Sequence, residues 1–186
     1  MKYSLFAFAV LLIVACGDSE QPQMSEPSFA DVDVVTGLQL TDAAGQLVGL
    51  WRQPNQKPGS LLLFPNPAGD VVSLAKPSGS NAPADMSQIW IVQADCLRDD
   101  ETTDITLQSL SLSYEQQVVD PLSVLKITPQ SIDSGIIQLD LSSLSSGFYK
   151  VFVADSAGSL FWINLYKSSN IGSQVLQFAE LDGACQ

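Results

Sequence analysis

No segment of this 186-residue chain carries apolar residues at the helical period of about 3.6 through a full 11-residue window. Short β-branched and aliphatic segments recur instead at roughly 8–12-residue intervals, divided by Gly, Pro, Asn and Ser. That rhythm predicts an all-β fold in which two antiparallel sheets bury alternate faces against each other as a sandwich. VDVVTGLQLTD and QLVGLWRQ flank AAGQ and predict a hairpin, and SLLLF and VVSLA flank PNPAGD. QIWIVQADC is a further strand, with Ile89, Ile91 and Gln93 on one face and Trp90 and Val92 on the other. ITLQSLSLSYE alternates with a change of phase near Ser109, which predicts a bulge or bend. VLKIT and GIIQLDL are strand-like, the second setting Ile137, Leu139 and Leu141 against Gln138 and Asp140. GFYKVFVADSAGSLFWINLYK is the clearest hairpin, turning at Asp155–Gly158. QVLQFAEL reads as a last strand or a single helical turn. Trp90, Phe152, Phe161 and Trp162 are the expected large core or rim side chains, with a sugar-binding platform as the other reading.

The chain holds no histidine. The usual general base near neutral pH and the usual imidazole metal ligand are therefore missing, and Ser-His-Asp or Cys-His chemistry cannot be built. No catalytic residue, cofactor or metal site is expected. Asp99-Asp100-Glu101, with Asp104, is the dense carboxylate cluster. Oxygen ligands on a loop suit Ca²⁺, but the EF-hand glycine and terminal Glu are missing, and a solvated loop is the preferred reading.

Lys2 precedes an unbroken apolar run over residues 5–15, LFAFAVLLIVA. About 20 such residues are needed to span a bilayer, so the run reads as a signal peptide. The boundary Ile13-Val14-Ala15-Cys16 resembles the bacterial lipobox. The resemblance implies a diacylglyceryl group on the Cys16 thiol, cleavage after Ala15 and acylation of the new amino group. Two or more acyl chains anchor a protein stably where one does not. Gly17 follows, where Asp would be an inner-membrane retention cue, so the outer membrane is the expected location, on its periplasmic or surface face. GDSEQPQMSEPSFA, rich in Ser, Gln, Glu and Pro, reads as a disordered tether.

Without the signal about 170 residues remain, enough for one domain with a core. Lys2 leaves with the signal, so seven basic residues face twenty acidic ones, a net charge near −13. Such a chain repels nucleic acid and anionic lipid. Cys96 and Cys185 remain after Cys16. In an exported protein the pair predicts a disulfide, closing a loop of roughly 90 residues and worth about 4–5 kcal/mol on the chain-entropy account. Two buried or free thiols are the other reading.

Three segments carry a further resemblance. The first is LLLFPNPAGDVVSL, in which Phe64 precedes Pro65-Asn66-Pro67 and Asp70 follows. The second is IIQLDLSSLSSGFYKVFV, in which Asp140, Leu141 and Leu144 lead into Gly147, Tyr149, Val151 and Val153. The third is DSAGSLFWINLYK, ending on Lys167. In this order, over roughly residues 59–167, they resemble the C-terminal sorting domain of the type IX secretion system of Bacteroidetes. The resemblance implies an Ig-like antiparallel β-sandwich. Physically, Pro65 and Pro67 deny ladder donors and end the strand, and Asn66 tolerates a turn. Gly147 permits a tight entry to a buried strand, and Tyr149 can bury its ring while its hydroxyl hydrogen-bonds.

The expected organisation is a lipoprotein signal peptide over 1–15, a flexible tether over 16–30, an N-terminal β-hairpin over 31–58 packing on the sandwich, and the sandwich over 59–186. The expected function is a non-catalytic binding or scaffold module, held to the membrane by its lipid and facing a protein or glycan partner, without nucleic acid. Two alternatives stay open: cargo or a sorting-domain protein of the type IX route, and a hydrolase using two carboxylates.

Overall fold

The computed structural model describes residues 32–57, 59–79, 81–97, 114–129, 135–169 and 174–185. Several expectations lie outside the described residues: Cys16 with the signal and tether, the strand over 105–113 with its change of phase at Ser109, and the carboxylates Asp99, Asp100, Glu101 and Asp104.

The fold is all-β. The strands are β1 Val34–Val35, β2 Leu38–Thr41, β3 Leu47–Trp51, β4 Leu62–Phe64, β5 Val71–Ala75, β6 Gln88–Cys96, β7 Ser123–Ile127, β8 Ile136–Asp140, β9 Gly147–Ala154 and β10 Leu160–Lys167. A short helix α1, Gln116–Val119, runs into a 3-10 turn over Asp120–Leu122, and α2 covers Gln174–Ala184.

β9 and β10 form the expected hairpin, Gly147 opposite Lys167 and Ala154 opposite Leu160. The Asp155 carboxylate fixes its turn by accepting the Ser159 N–H at 2.8 Å. β6 lies antiparallel on the other side of β9. The far edge of β6 is shared: β7 pairs antiparallel with Ile89–Val92, and β1 pairs parallel with Asp95 and Cys96. The five-stranded sheet is therefore mixed, where antiparallel strands alone were expected. A two-residue strand such as β1 is too short to show any periodicity in sequence. β4, β5 and β8 make a second, antiparallel sheet, and β2 and β3 a separate hairpin.

Alternation explains the packing. Tyr149, Val151 and Val153 of β9, Phe161, Ile163 and Leu165 of β10, and Ile89 and Ile91 of β6 all point one way. They share one core with Leu63, Val72, Leu74 and Leu139 of the second sheet and with Leu141 just past β8. Each such side chain contributes roughly 1.5–3 kcal/mol by burial. The opposite face is buried as well. Trp90, Val92, Phe152 and Trp162 pack with Val32 and with Val119 of α1. Ala94, Phe148 and Tyr166 pack with Val35, Leu38, Leu40, Trp51 and Leu181 of α2. The near-continuous apolar text of β9 and β10 reflects burial on both faces, so a third layer, the β2–β3 hairpin and the two helices, covers the sheet.

The C-terminal segment departs from expectation. It is neither a strand nor a single turn but an 11-residue helix. Helices of this length are marginal alone, so tertiary contact decides it. Leu181 and Cys185, four residues apart, are buried against the sheet.

Candidate functional site

The three segments that carry the sorting-domain resemblance meet at one end of the molecule. Phe64–Pro65 and Asn66–Pro67 are both cis peptide bonds. Between them Asn66 is 1 % exposed. Its Nδ2 donates to the Gln39 and Asn164 carbonyls, each at 3.0 Å, and its Oδ1 accepts the Tyr166 N–H at 3.2 Å. Its own N–H and carbonyl pair with Thr41 at 3.2 and 3.0 Å. Next along the loop, the Ala68 N–H donates to the Tyr166 carbonyl at 2.9 Å, and the Ala68 carbonyl accepts the Ser168 N–H at 2.8 Å. The outer edge of β10 is thus closed by a loop rather than by a strand. An open edge would offer those groups to another chain.

Lys167, at the end of β10, has a side chain 6 % exposed. Its Nζ donates to the Leu141 carbonyl at 2.7 Å and the Leu144 carbonyl at 2.6 Å. It also lies 3.1 Å from the Asp70 carboxylate. An ammonium has three donors, and all three are used here. The lysine acts as an internal cation that ties the β4–β5 loop and the β8–β9 turn to β10. Hydrogen bonds from Ser142, with the nearby Lys167 charge, hold the Asp140 carboxyl below the usual range. In the same turn the Tyr149 hydroxyl donates to the Ser145 carbonyl at 2.8 Å while its ring is buried. Gly147 opens β9 at φ 153°, and a Cβ there would meet nothing within 4 Å. Backbone conformation, not close approach, calls for glycine at this position.

A cavity of about 270 Å³ opens beside this end, lined by Gly69, Asp70, Ser146, Lys167, Ser168 and Ser169. It offers hydroxyls and one carboxylate. The lysine in its wall is committed to its own three partners.

A second polar cluster lies behind the sheet, and sequence reasoning missed it. Asn164, fully buried, donates to the Gly37 carbonyl and to Asn55 Oδ1, each at 2.8 Å. Asn55 Oδ1 accepts the Thr36 N–H at 3.1 Å, and Asn55 Nδ2 donates to the Val34 carbonyl at 2.8 Å. The visible signal was a lone Asn inside LFWINLYK. Gly37 must be glycine here, because a Cβ would come within 2.6 Å of the Trp51 carbonyl.

Cys96 and Cys185 are joined by a disulfide with Cα atoms 5.2 Å apart, linking the end of β6 to the end of α2. The helix also reaches the cavity end, where Glu180 accepts the Ser168 hydroxyl at 2.8 Å and the Tyr166 hydroxyl at 3.3 Å. Burial and the Glu180 charge push the Tyr166 phenol up to about 12. The aromatics expected in the core or rim are buried, and each indole has a partner. Trp162 Nε1 donates to the Asn55 carbonyl at 3.0 Å and Trp90 Nε1 to Asp120 at 2.6 Å. Bonds from Lys126 and Trp90 hold the Asp120 carboxyl below its usual range.

Among the described residues no group of three or more His, Cys, Asp or Glu could hold a metal ion, and no helix is long and apolar enough to cross a membrane. No protein-family model, curated protein or solved structure matches the chain.

Proposed function

We propose that the chain is a lipid-anchored outer-membrane protein whose all-β body is a non-catalytic binding or scaffold module, lifted from the surface by the 16–30 tether. The observation that carries this reading is the Ile13-Val14-Ala15-Cys16 box behind a short apolar run, with polar, acidic sequence directly after it. The body adds support. Asn66, Lys167 and Tyr149 are buried and bonded to the chain's own backbone, an arrangement that holds a shape rather than moves protons. Contact with a protein or glycan partner then falls to edges and loops. β3 has one strand neighbour among the described residues and exposes Leu47, Val48 and Leu50, which supports contact along that edge.

The Ig-like sandwich, related to the type IX sorting domain, is the fold reading we favour. Two sheets sharing one core support it, as does the meeting of the three resembling segments. The same meeting favours cargo or a sorting domain of that route as the second functional reading.

Intact-mass measurement of the native protein, with membrane fractionation, tests the proposal. The expected species begins at an acylated Cys16 and fractionates with the outer membrane, and Cys16→Ser releases it. Native protein found unacylated and free in the periplasm or medium would overturn the proposal. Trimming at the C-terminal end in the same spectra would favour the second reading.

A further inference from the structure

We propose that the Cys96–Cys185 disulfide is a releasable clasp on α2, with Cys96 the sulfur attacked, Cys185 the sulfur that leaves, and Arg52 the group that receives the leaving thiolate.

Arg52 sets the direction in which the clasp opens. It is the non-glycine residue among those described with positive φ, at 55°. Its guanidinium stacks over the Trp51 ring at 4.5 Å. Nη1 donates to the Leu97 carbonyl at 3.0 Å and lies 3.2 Å from Cys185 Sγ, against 4.0 Å from Cys96 Sγ. A cation beside sulfur favours the thiolate, and the sulfur better stabilised as thiolate leaves faster. The asymmetry therefore selects Cys185 as the leaving group. Burial selects the same direction, because Cys185 is 6 % exposed while Cys96 is only partly buried.

The chemistry requires a dithiol reductant, of the kind that protein disulfide oxidoreductases carry. Its thiolate bonds to Cys96 Sγ as the Cys96–Cys185 bond breaks, and the bond's electron pair passes to Cys185 Sγ beside Arg52. The second thiolate of the reductant then displaces Cys96. The protein ends with two thiols, protonated from solvent, and the reductant ends as a disulfide.

Opening the clasp has a defined consequence. Besides the disulfide, the described side chains of α2 hold the body through buried Leu181, through Asp182 on the Trp51 indole at 2.9 Å and on Arg52 Nη2 at 3.9 Å, and through Glu180 on Tyr166 and Ser168. Asp182 stands at the rim, 64 % exposed. Loss of the covalent link lets α2 leave, baring Trp51, Phe148 and Tyr166 and freeing Ser168 at the cavity wall.

The test uses the full-length oxidised protein with glutathione as a monothiol probe, quenched with iodoacetamide and mapped by mass spectrometry. Glutathione is expected on Cys96 and the alkyl group on Cys185, by about tenfold over the reverse. Arg52→Gln is expected to slow opening about tenfold, while Arg52→Lys, which keeps the charge, retains most of the rate. Hydrogen exchange after dithiothreitol should rise in α2 and stay unchanged in β9 and β10. An even or reversed distribution of the adduct, an unchanged rate in Arg52→Gln, or an α2 equally protected when reduced would each overturn the proposal. The adduct distribution is read on the wild-type chain and so does not depend on how a variant folds.

Discussion

Asn66 gathers backbone groups from β2 and β10 that are 27 and 98 residues away in the chain. Asn66→Ala would leave the Gln39 and Asn164 carbonyls and the Tyr166 N–H without their partner, inside the protein. An unsatisfied buried group costs about 1–3 kcal/mol, so a net loss of about 2–4 kcal/mol is expected after partial relaxation. Urea unfolding measures it, and an unshifted midpoint would show that the side chain is dispensable. Tyr166 makes a prediction in the alkaline range. Its folded value of about 12 lies above the ordinary 10.0, so the folded state keeps its proton longer than the unfolded state does. That contribution is fully present below pH 10 and is lost as pH rises from 10 towards 12. Tyr166→Phe should flatten the fall of stability across that window relative to wild type, measured by denaturation at a series of pH values. Pro65, Asn66, Pro67, Gly147 and Tyr149 were marked in the sequence by their turn and burial chemistry. Their partners were not, because a hydrogen bond to Asn164 or Gln39 is decided by where distant backbone passes.

At the scale of elements, β9 and β10 were readable because two apolar runs flank a turn with Asp155 at its start. β2 and β3 were readable for the same reason, with Asp42 accepting the Ala44 and Gln46 N–H groups at 2.9 and 2.8 Å. α2 was not, because its helical state depends on what it lies against. The disulfide ties it covalently to β6, and replacing Cys185 with Ser should lower stability by about 2–5 kcal/mol in urea unfolding. A change well below that would mean that Leu181 and the rim contacts hold the helix unaided. β3 gives the contrasting expectation. Leu50 is 53 % exposed, so Leu50→Lys should shift stability by no more than about 0.5 kcal/mol. A larger loss would show that this side chain is packed.

At the scale of the whole molecule, twenty acidic residues against eight basic ones make the response to acid informative. Asp120 and Asp140 both have folded values below 3.8. Each therefore stabilises the folded state above that ordinary value, and the contribution disappears as pH falls through the lowered one. Stability should decline on acidification below about pH 4, and the double variant Asp120→Asn, Asp140→Asn should decline less steeply between the same two pH values. An identical slope would remove these two carboxylates from the account.

The amino-acid order alone determined the strand-built class and the central hairpin, and put Cys96 and Cys185 forward as a candidate pair. Those follow from period-2 burial, turn residues and residue counts, all of them local. Only the tertiary structure decided that the large sheet is covered on both faces, that β1 joins it in parallel, that the C-terminal segment is helical and that Lys167 finds two carbonyls and a carboxylate. Each of these depends on groups far apart in sequence meeting in space, where burial leaves a polar atom no water and makes one specific partner necessary.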